Sequence, residues 1–433
     1  MKQLFYIALV MFSISSVFSQ EKLMTLEDVV EAVNTNNANI KMSEQDVLMA
    51  KGDYRQTNSI FLPQISVSHT AMATTNPMMS FGSKLNQEIL TANDFNPDLL
   101  NDPSQIEDYA TRVEVKQPLI NVDGVFQRKA AKAKLNAMSL QSERTKDHIN
   151  LEVKKAYMQL QLAYKTVEVL EKAKAAAEEN KRLADNSFKQ GYLQRADVLA
   201  VEVRVTEINN QLQYAKSNIQ NTSNYLSVLM NDTSYTIIKP ADELEVKTME
   251  SESMNLSESR SDIQAMQEVS EAYKQMYKAD KSTFLPNLNA FGTYELHDDE
   301  IFQGQANGYL FGAQLSWNIF EGSKRFGKTQ KSKAEYEKSK LNLEQYKAQS
   351  QVELNSVYRM LQDAKNNLVL TNLALEQSKE SLRIRTNRFK EGLEKTSDLL
   401  MAETQYAQKQ LEYFNTVFQH NYALEYLNFL TKN

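Results

Sequence analysis

The chain has 433 residues, with 49 Lys and Arg against 55 Asp and Glu, giving a formal charge of −6. Only 11 Gly and 7 Pro are present, so turn formers are scarce and long uninterrupted helices are favoured. The absence of Cys excludes disulfides, thiolate metal sites, Cys nucleophiles and cysteine lipidation, and mild acidity without a basic block argues against nucleic acid as a partner.

Residues 1–19 read as an export signal. Lys2 precedes the apolar run Leu4 to Phe12, which is too short to span a bilayer as a helix, and Val17-Phe18-Ser19 offers a cleavage site before Gln20. No later stretch approaches the ~18 apolar residues of a membrane helix. The mature chain is therefore expected to be exported without a helical anchor.

The mature chain opens with a helix. Thr25 with Asp28 forms a capping-box pattern, the Asn-rich stretch Asn34 to Asn39 interrupts it, and it runs to Phe61-Leu62-Pro63-Gln64, where Pro forbids continuation. The apolar period then changes from about 3.6 to 2. Ile65, Val67, Ala71 and Ala73 alternate with polar neighbours, and so do Tyr109, Val113 and Val115. The acids Asp94, Asp98, Asp102, Glu107 and Asp108 between them are expected in a solvated loop. Val125 to Gln190 follows as one long helix, ~100 Å at 1.5 Å per residue. Its seam Val153, Ala156, Leu160, Ala163, Val167 and Leu170 has coiled-coil spacing. Gln194 to Asn231 returns as a second helix.

The same order then repeats. Ser259 with Asp262 opens a helix that ends at Phe284-Leu285-Pro286-Asn287. Two alternating segments follow, Leu288 to Leu296 and Tyr309 to Ile319, joined through His297-Asp298-Asp299-Glu300. The seam Leu354, Val357, Leu361, Ala364 and Leu368 matches the first at an offset of 201, as does Phe389-Lys390-Glu391-Gly392 against Phe188-Lys189-Gln190-Gly191. The Phe-Leu-Pro corners are offset by 223, so the first copy carries about 22 extra residues between corner and long helix. A period this long marks a duplicated domain. The expected organisation is residues 20–231 as the first repeat, 232–258 as a partly structured connector and 259–433 as the second repeat. Strands are expected near 63–75, 108–120, 286–298 and 307–320, and long helices over 123–231 and 322–431.

Four amphipathic strands fit a membrane wall with lipid on one side and water on the other. Four cannot close a barrel, so several protomers must share one. These features together resemble the TolC family of outer-membrane efflux proteins. The local signatures are the two Phe-Leu-Pro corners, Leu119-Ile120-Asn121, Ile319-Phe320-Glu321-Gly322, and the tips Gly191-Tyr192-Leu193 with Asp197 and Gly392-Leu393 with Asp398. The resemblance implies a mainly α fold with a transmembrane β-barrel portion, 12 strands over a 12-helix α-barrel in a homotrimer. It implies outer-membrane lipid around the strands, a periplasmic adaptor, and an inner-membrane pump of RND, ABC or MFS type. No cofactor is implied.

By the same resemblance Pro63 and Pro286 mark helix-to-strand corners. Gly191, Tyr192, Leu193, Gly392 and Leu393 form adaptor-contact tips, and Asp398, Asp197 and Phe389 belong to the periplasmic aperture. Asp398 matches an aspartate ring, whereas Asp197 and Asp398 read by themselves are equally helix N-caps. Met401 stands where relatives carry a second acid, and Phe389 lacks the hydroxyl with which a Tyr there could bond to Asp197. His69, His148, His297 and His420 are scattered without ligand spacing, and Met72, Met78 and Met79 read as flexible fillers or exposed loop residues rather than a soft-metal path. The function expected is a passive duct for tripartite efflux or type I secretion. The alternative is an envelope coiled-coil adaptor or structural protein, and an enzyme is disfavoured.

Overall fold

The computed structural model describes residues 21–248 and 255–432; the expected export signal lies outside them. The order is β1 (Lys22–Met24), α1 (Leu26–Asn36), α2 (Ala38–Gln56), a 3-10 turn (Thr57–Ile60), β2 (Gln64–Thr74), α3 (Pro77–Asn86), a second 3-10 turn (Ala92–Phe95), α4 (Pro97–Asn101) and β3 (Ile106–Ile120). Next come α5 (Val122–Lys189), α6 (Arg195–Leu229), β4 (Ile238–Pro240), α7 (Ser261–Ser282), β5 (Asn287–Asp298), β6 (Ala306–Ser316), α8 (Lys324–Lys390) and α9 (Thr396–Thr431). No described helix is long and apolar enough to cross a membrane. The described residues divide into a helical unit (21–45, 140–248, 255–264, 345–432) and a sheet-bearing unit (46–139, 265–344).

The helical unit has two cores built on the same plan. Val153, Ala156 and Leu160 of α5 pack with Leu226 and Leu229 of α6, and Leu354, Val357 and Leu361 of α8 pack with Leu427 and Leu430 of α9. Every pair is related by the offset of 201, and burying each of these valine and leucine side chains stabilises by ~1.5–3 kcal/mol. The first core also takes Val29 and Val33 of α1. The Thr25–Asp28 capping box is formed. Asn37 breaks the helix as the sequence predicts. Its amide donates to Leu229 O at 2.7 Å, and its Oδ1 accepts the Asn39 and Ile40 N–H groups that open α2.

Two features of this unit are absent from the sequence reading. The chain start and the connector form a parallel two-stranded pair, β1 with β4, and the Tyr157 hydroxyl donates to Met24 O at 2.9 Å behind it. The connector is then pinned to α9. Asn421 accepts from Lys247 N–H and donates to Glu245 O, while Glu425 holds Lys247 and Lys154, each at 2.7 Å.

Asp262 differs from the expected capping role. Its carboxylate receives Arg260 Nε at 2.6 Å, Tyr346 Oη at 2.6 Å and Arg144 Nε at 3.2 Å. The two guanidiniums also donate to Phe429 O and Leu430 O, so they cover the final carbonyls of α9, where positive charge suits the helix dipole. Arg260 is only 2% exposed, which is sustainable because each of its nitrogens has an acceptor.

In the other unit the strands pair antiparallel in the order β2-β3-β5-β6. The register aligns Val67 with Val113, Val113 with Tyr294, Tyr294 with Tyr309, and Leu288 with Leu315. Directly paired residues share a face, so these apolar positions of all four strands merge into one surface, while Phe291 and Leu310 fall on the opposite one. Val67 is 68% exposed there and Leu315 66%. The opposite face carries Ser66, Arg112, Glu114, Lys116, Thr293 and Glu295, with Arg112 paired to Glu295 at 2.6 Å.

The corners are fastened by an Arg from the start of each long helix. Arg128 Nη1 donates to Thr57 Oγ1 at 3.1 Å and to Asn58 Oδ1, and its guanidinium lies 4.4 Å from the Tyr54 ring centroid. Arg325 donates to Thr283 O and Asn318 O and lies 4.9 Å from the Phe284 centroid. Pro63 and Pro286 each immediately precede a strand.

Two expectations need correction here. β6 ends at Ser316 rather than near residue 320, because Trp317 turns away to donate from Nε1 to Phe284 O at 3.0 Å. The segment between β2 and β3 is not a solvated loop. It folds into α3 and α4, each begun by an Asn cap followed by Pro, and Glu107 and Asp108 belong to β3. Asp108 is buried, with Gln87 and Ser83 donating to it and His297 Nδ1 at 3.1 Å; His297 and Asp298 are buried ends of β5.

Placing Arg at Val67 is expected to destabilise the folded protein in lipid by ~2–4 kcal/mol if the site is near mid-bilayer. Arg at Ser66, opposite Glu114, is expected to be tolerated. Urea unfolding in vesicles measures both, and equal costs on the two faces would contradict a lipid-facing wall.

Candidate functional site

Each repeat ends its long helix in the same turn. After α5, Gly191 N–H donates to Phe188 O and Tyr192 N–H to Ser187 O, both at 2.9 Å. After α8, Gly392 N–H donates to Phe389 O at 3.0 Å and Leu393 N–H to Arg388 O at 2.9 Å. These are Schellman closures, which place one residue in left-handed backbone. Gly191 has φ +80° and Gly392 +73°, conformations that cost side-chain-bearing residues ~1–2 kcal/mol. The closure leaves Tyr192 80% exposed and Leu193 and Leu393 beside the turns.

The two aspartates sit at equivalent places and have different partners. Asp197 accepts Gln194 N–H at 3.1 Å, which makes it a cap for α6. Asp398, third residue of α9, lies 3.9 Å from Arg385 Nη1, and Ser397 Oγ donates to it at 3.4 Å. Phe389 is half-buried in the last turn of α8.

The second tip carries an ion cluster that sequence reasoning missed. Glu394 is gripped by Arg385 Nη1 and Arg388 Nε, both at 2.8 Å, and Arg388 also donates to Leu393 O. At the offset of 201 the first repeat has Ala184, Ser187 and Leu193 at these positions, so the first tip lacks the cluster. That substitution of three charges for small or apolar residues was the available signal.

Above the tips in the same unit, Glu403 of α9 receives a hydrogen bond from the Asn180 amide of α5. Burial pushes its carboxyl up to about 7, against the opposing pull of Arg204 and the Asn180 bond. Arg204 Nε is itself buried without a partner. The counterpart Glu202 faces Lys181 at 3.5 Å and Arg195 at 3.8 Å. Among the described residues no group of three His, Asp or Glu is placed to hold a metal ion.

The chain matches the family described as "Outer membrane efflux protein" over residues 29–232 and 254–431, and it belongs to that family. Its fold is similar to that of a membrane protein from Pseudomonas aeruginosa, at 16% identity and TM-score 0.81, over 94% of this chain and 93% of that one. It is also similar to the outer membrane protein VceC from Vibrio cholerae, at 18% identity and TM-score 0.78, over 93% and 95%. The Campylobacter jejuni CmeC outer membrane channel gives 16% and 0.81, over 94% and 85%. No curated protein sequence matches. The chain is thus an outer-membrane efflux channel protein, of a family of trimeric channels that work with adaptors and inner-membrane pumps, and not of an enzyme family.

Because the folded state raises the Glu403 pKa above its unfolded value, this group disfavours folding increasingly as pH rises from the usual carboxylate range through about 7. Glu403→Gln is expected to leave the thermal unfolding temperature nearly unchanged at acidic pH and to raise it at alkaline pH. A scan across pH checks this, and identical pH profiles for variant and parent would contradict it.

Proposed function

We propose that three copies join edge to edge into a 12-stranded barrel that continues into a 12-helix tunnel, a passive duct for an adaptor-linked inner-membrane pump. The observation that carries this reading is the single apolar face shared in register by four strands, on a sheet whose two edges, β2 and β6, are both open. Each protomer contributes an even number of antiparallel strands, so copies joined in a ring keep every neighbour antiparallel. The polar face then lines the water-filled side. The Pro63 and Pro286 corners turn wall into tunnel in this reading. The tips Gly191-Tyr192-Leu193 and Gly392-Leu393 meet the adaptor. Selection of substrate rests with the pump, whether of RND, ABC or MFS type.

Asp398 is the aperture residue in this proposal, and Asp197 and Phe389 flank it. Three carboxylates brought near one axis repel each other and attract cations. Arg385, 3.9 Å from Asp398, tempers that field within each protomer. In planar bilayers Asp398→Ala is expected to reduce cation preference and block by multivalent cations, and Arg385→Ala to increase both. Asp197→Ala is expected to change them less. Asp398→Asn with undiminished cation block would reject the aperture assignment while leaving the duct in place.

A further inference from the structure

We propose that the segment from Pro77 to Asn101, found only in the first repeat, is a lid on the outlet of the pore, seated on the water-facing wall of the sheet. It rests on the duct reading above. β2 and β3 are joined by 31 residues, whereas β5 and β6 are joined by 7, and the stretch from the start of α3 to the end of α4 accounts for the excess.

The seat is defined by contacts. α3 packs across β3 and reaches β6, so it lies over a face of the sheet and not along an edge. Ser80 and Ser83 of this helix and Gln87, which caps its end, form one stripe, and all three are buried. The Gln87 amide donates to Glu107 O at 2.7 Å, Asp108 Oδ1 at 3.2 Å and Asp298 O at 3.3 Å, and Ser83 Oγ donates to Asp108 Oδ2 at 3.3 Å. Strand alternation puts Asp108, His297 and Ala306 on the same side as Arg112, Glu114 and Glu295, which is the polar wall. They lie at the strand ends remote from Pro63 and Pro286, hence at the outer mouth in the duct reading.

The lid is built to move as a piece. Phe81 stacks edge-on against Phe95 with centroids 5.6 Å apart, and Lys84 pairs with Asp94 at 2.7 Å, so α3 and the following turn hold each other. Its hydrogen bonds to the wall are made by one serine, Ser83, and one glutamine, Gln87. Ser80 Oγ and Gln87 Oε1 are buried there without partners, so the closed seat is incompletely satisfied and its release is cheap. Three copies would place three such helices around the exit and limit the size of what passes.

The chain has no Cys, so a single introduced thiol reports access cleanly. Thr293→Cys sits on the polar wall opposite Glu114, deeper than the seat, and Val113→Cys sits on the apolar face. Intact cells are treated from outside with a small charged methanethiosulfonate or with a bulky polyethylene-glycol maleimide. The small reagent is expected to modify Thr293→Cys and spare Val113→Cys, and the bulky one to react poorly with both. Adding Gln87→Ala, which removes the main hydrogen bonds of the seat, is expected to speed bulky labelling of Thr293→Cys about tenfold. Replacing residues 78–100 by a short Gly-Ser linker is expected to do so at least as strongly. Rapid bulky labelling with the lid intact, or no acceleration in either variant, would overturn the lid. Equal small-reagent reaction at Thr293→Cys and Val113→Cys would instead remove the pore, and the lid with it.

Discussion

A backbone N–H or C=O left unpaired in hydrocarbon costs several kcal/mol, and the four-stranded sheet presents two rows of them, along β2 and β6. These two edge strands have 11 residues each, so in lipid the two open edges together outweigh the ~5–15 kcal/mol by which a typical domain is stable. The apolar face cannot be kept in water either, since it joins Val67, Val113, Tyr294, Tyr309 and Leu315 into one patch. Edge-to-edge closure with further copies answers both demands together. Within the sheet-bearing unit, the corner arginines Arg128 and Arg325 fasten the start of each long helix to the segment that leads into the strands.

Duplication gives the fold its economy and its asymmetry. The cores at Leu160 and Leu361 are interchangeable in plan, and Arg128 and Arg325 fasten equivalent corners with different bonds. The differences between the copies lie elsewhere. The second tip carries Arg385, Arg388 and Glu394 where the first has Ala184, Ser187 and Leu193, and the first hairpin alone carries α3 and α4. Copies that must pack alike stay alike, while exposed turns are free to diverge.

Periodicity made the strands, the heptad seams and the corners legible, because burial on one face imposes a period on the sequence. The tip turns were legible because Gly191 and Gly392 must adopt left-handed backbone. The α3 helix was not recognised, although Asn76-Pro77 and Asn96-Pro97 are cap-and-first-turn pairs. Its buried stripe of Ser and Gln has no hydrophobic period to detect. The β1–β4 pair and the Asp262 cluster were hidden for another reason. Their partners, Met24 with Pro240 and Arg144 with Asp262, are far apart in sequence, and pairings of that kind leave no local mark. Trp317 continued an alternating pattern yet left the strand, because its indole found Phe284 O instead.

The central claim is that the edges of β2 and β6 meet between copies. Cysteines placed one on each edge, in a chain that has none of its own, test it most directly when combined with the detergent-corrected mass of the product. Oxidation is expected to give covalent species up to three chains and no larger, with the uncrosslinked particle already about three times the chain mass. A monomer in detergent that conducts ions, or crosslinking that proceeds beyond three chains, would contradict the account.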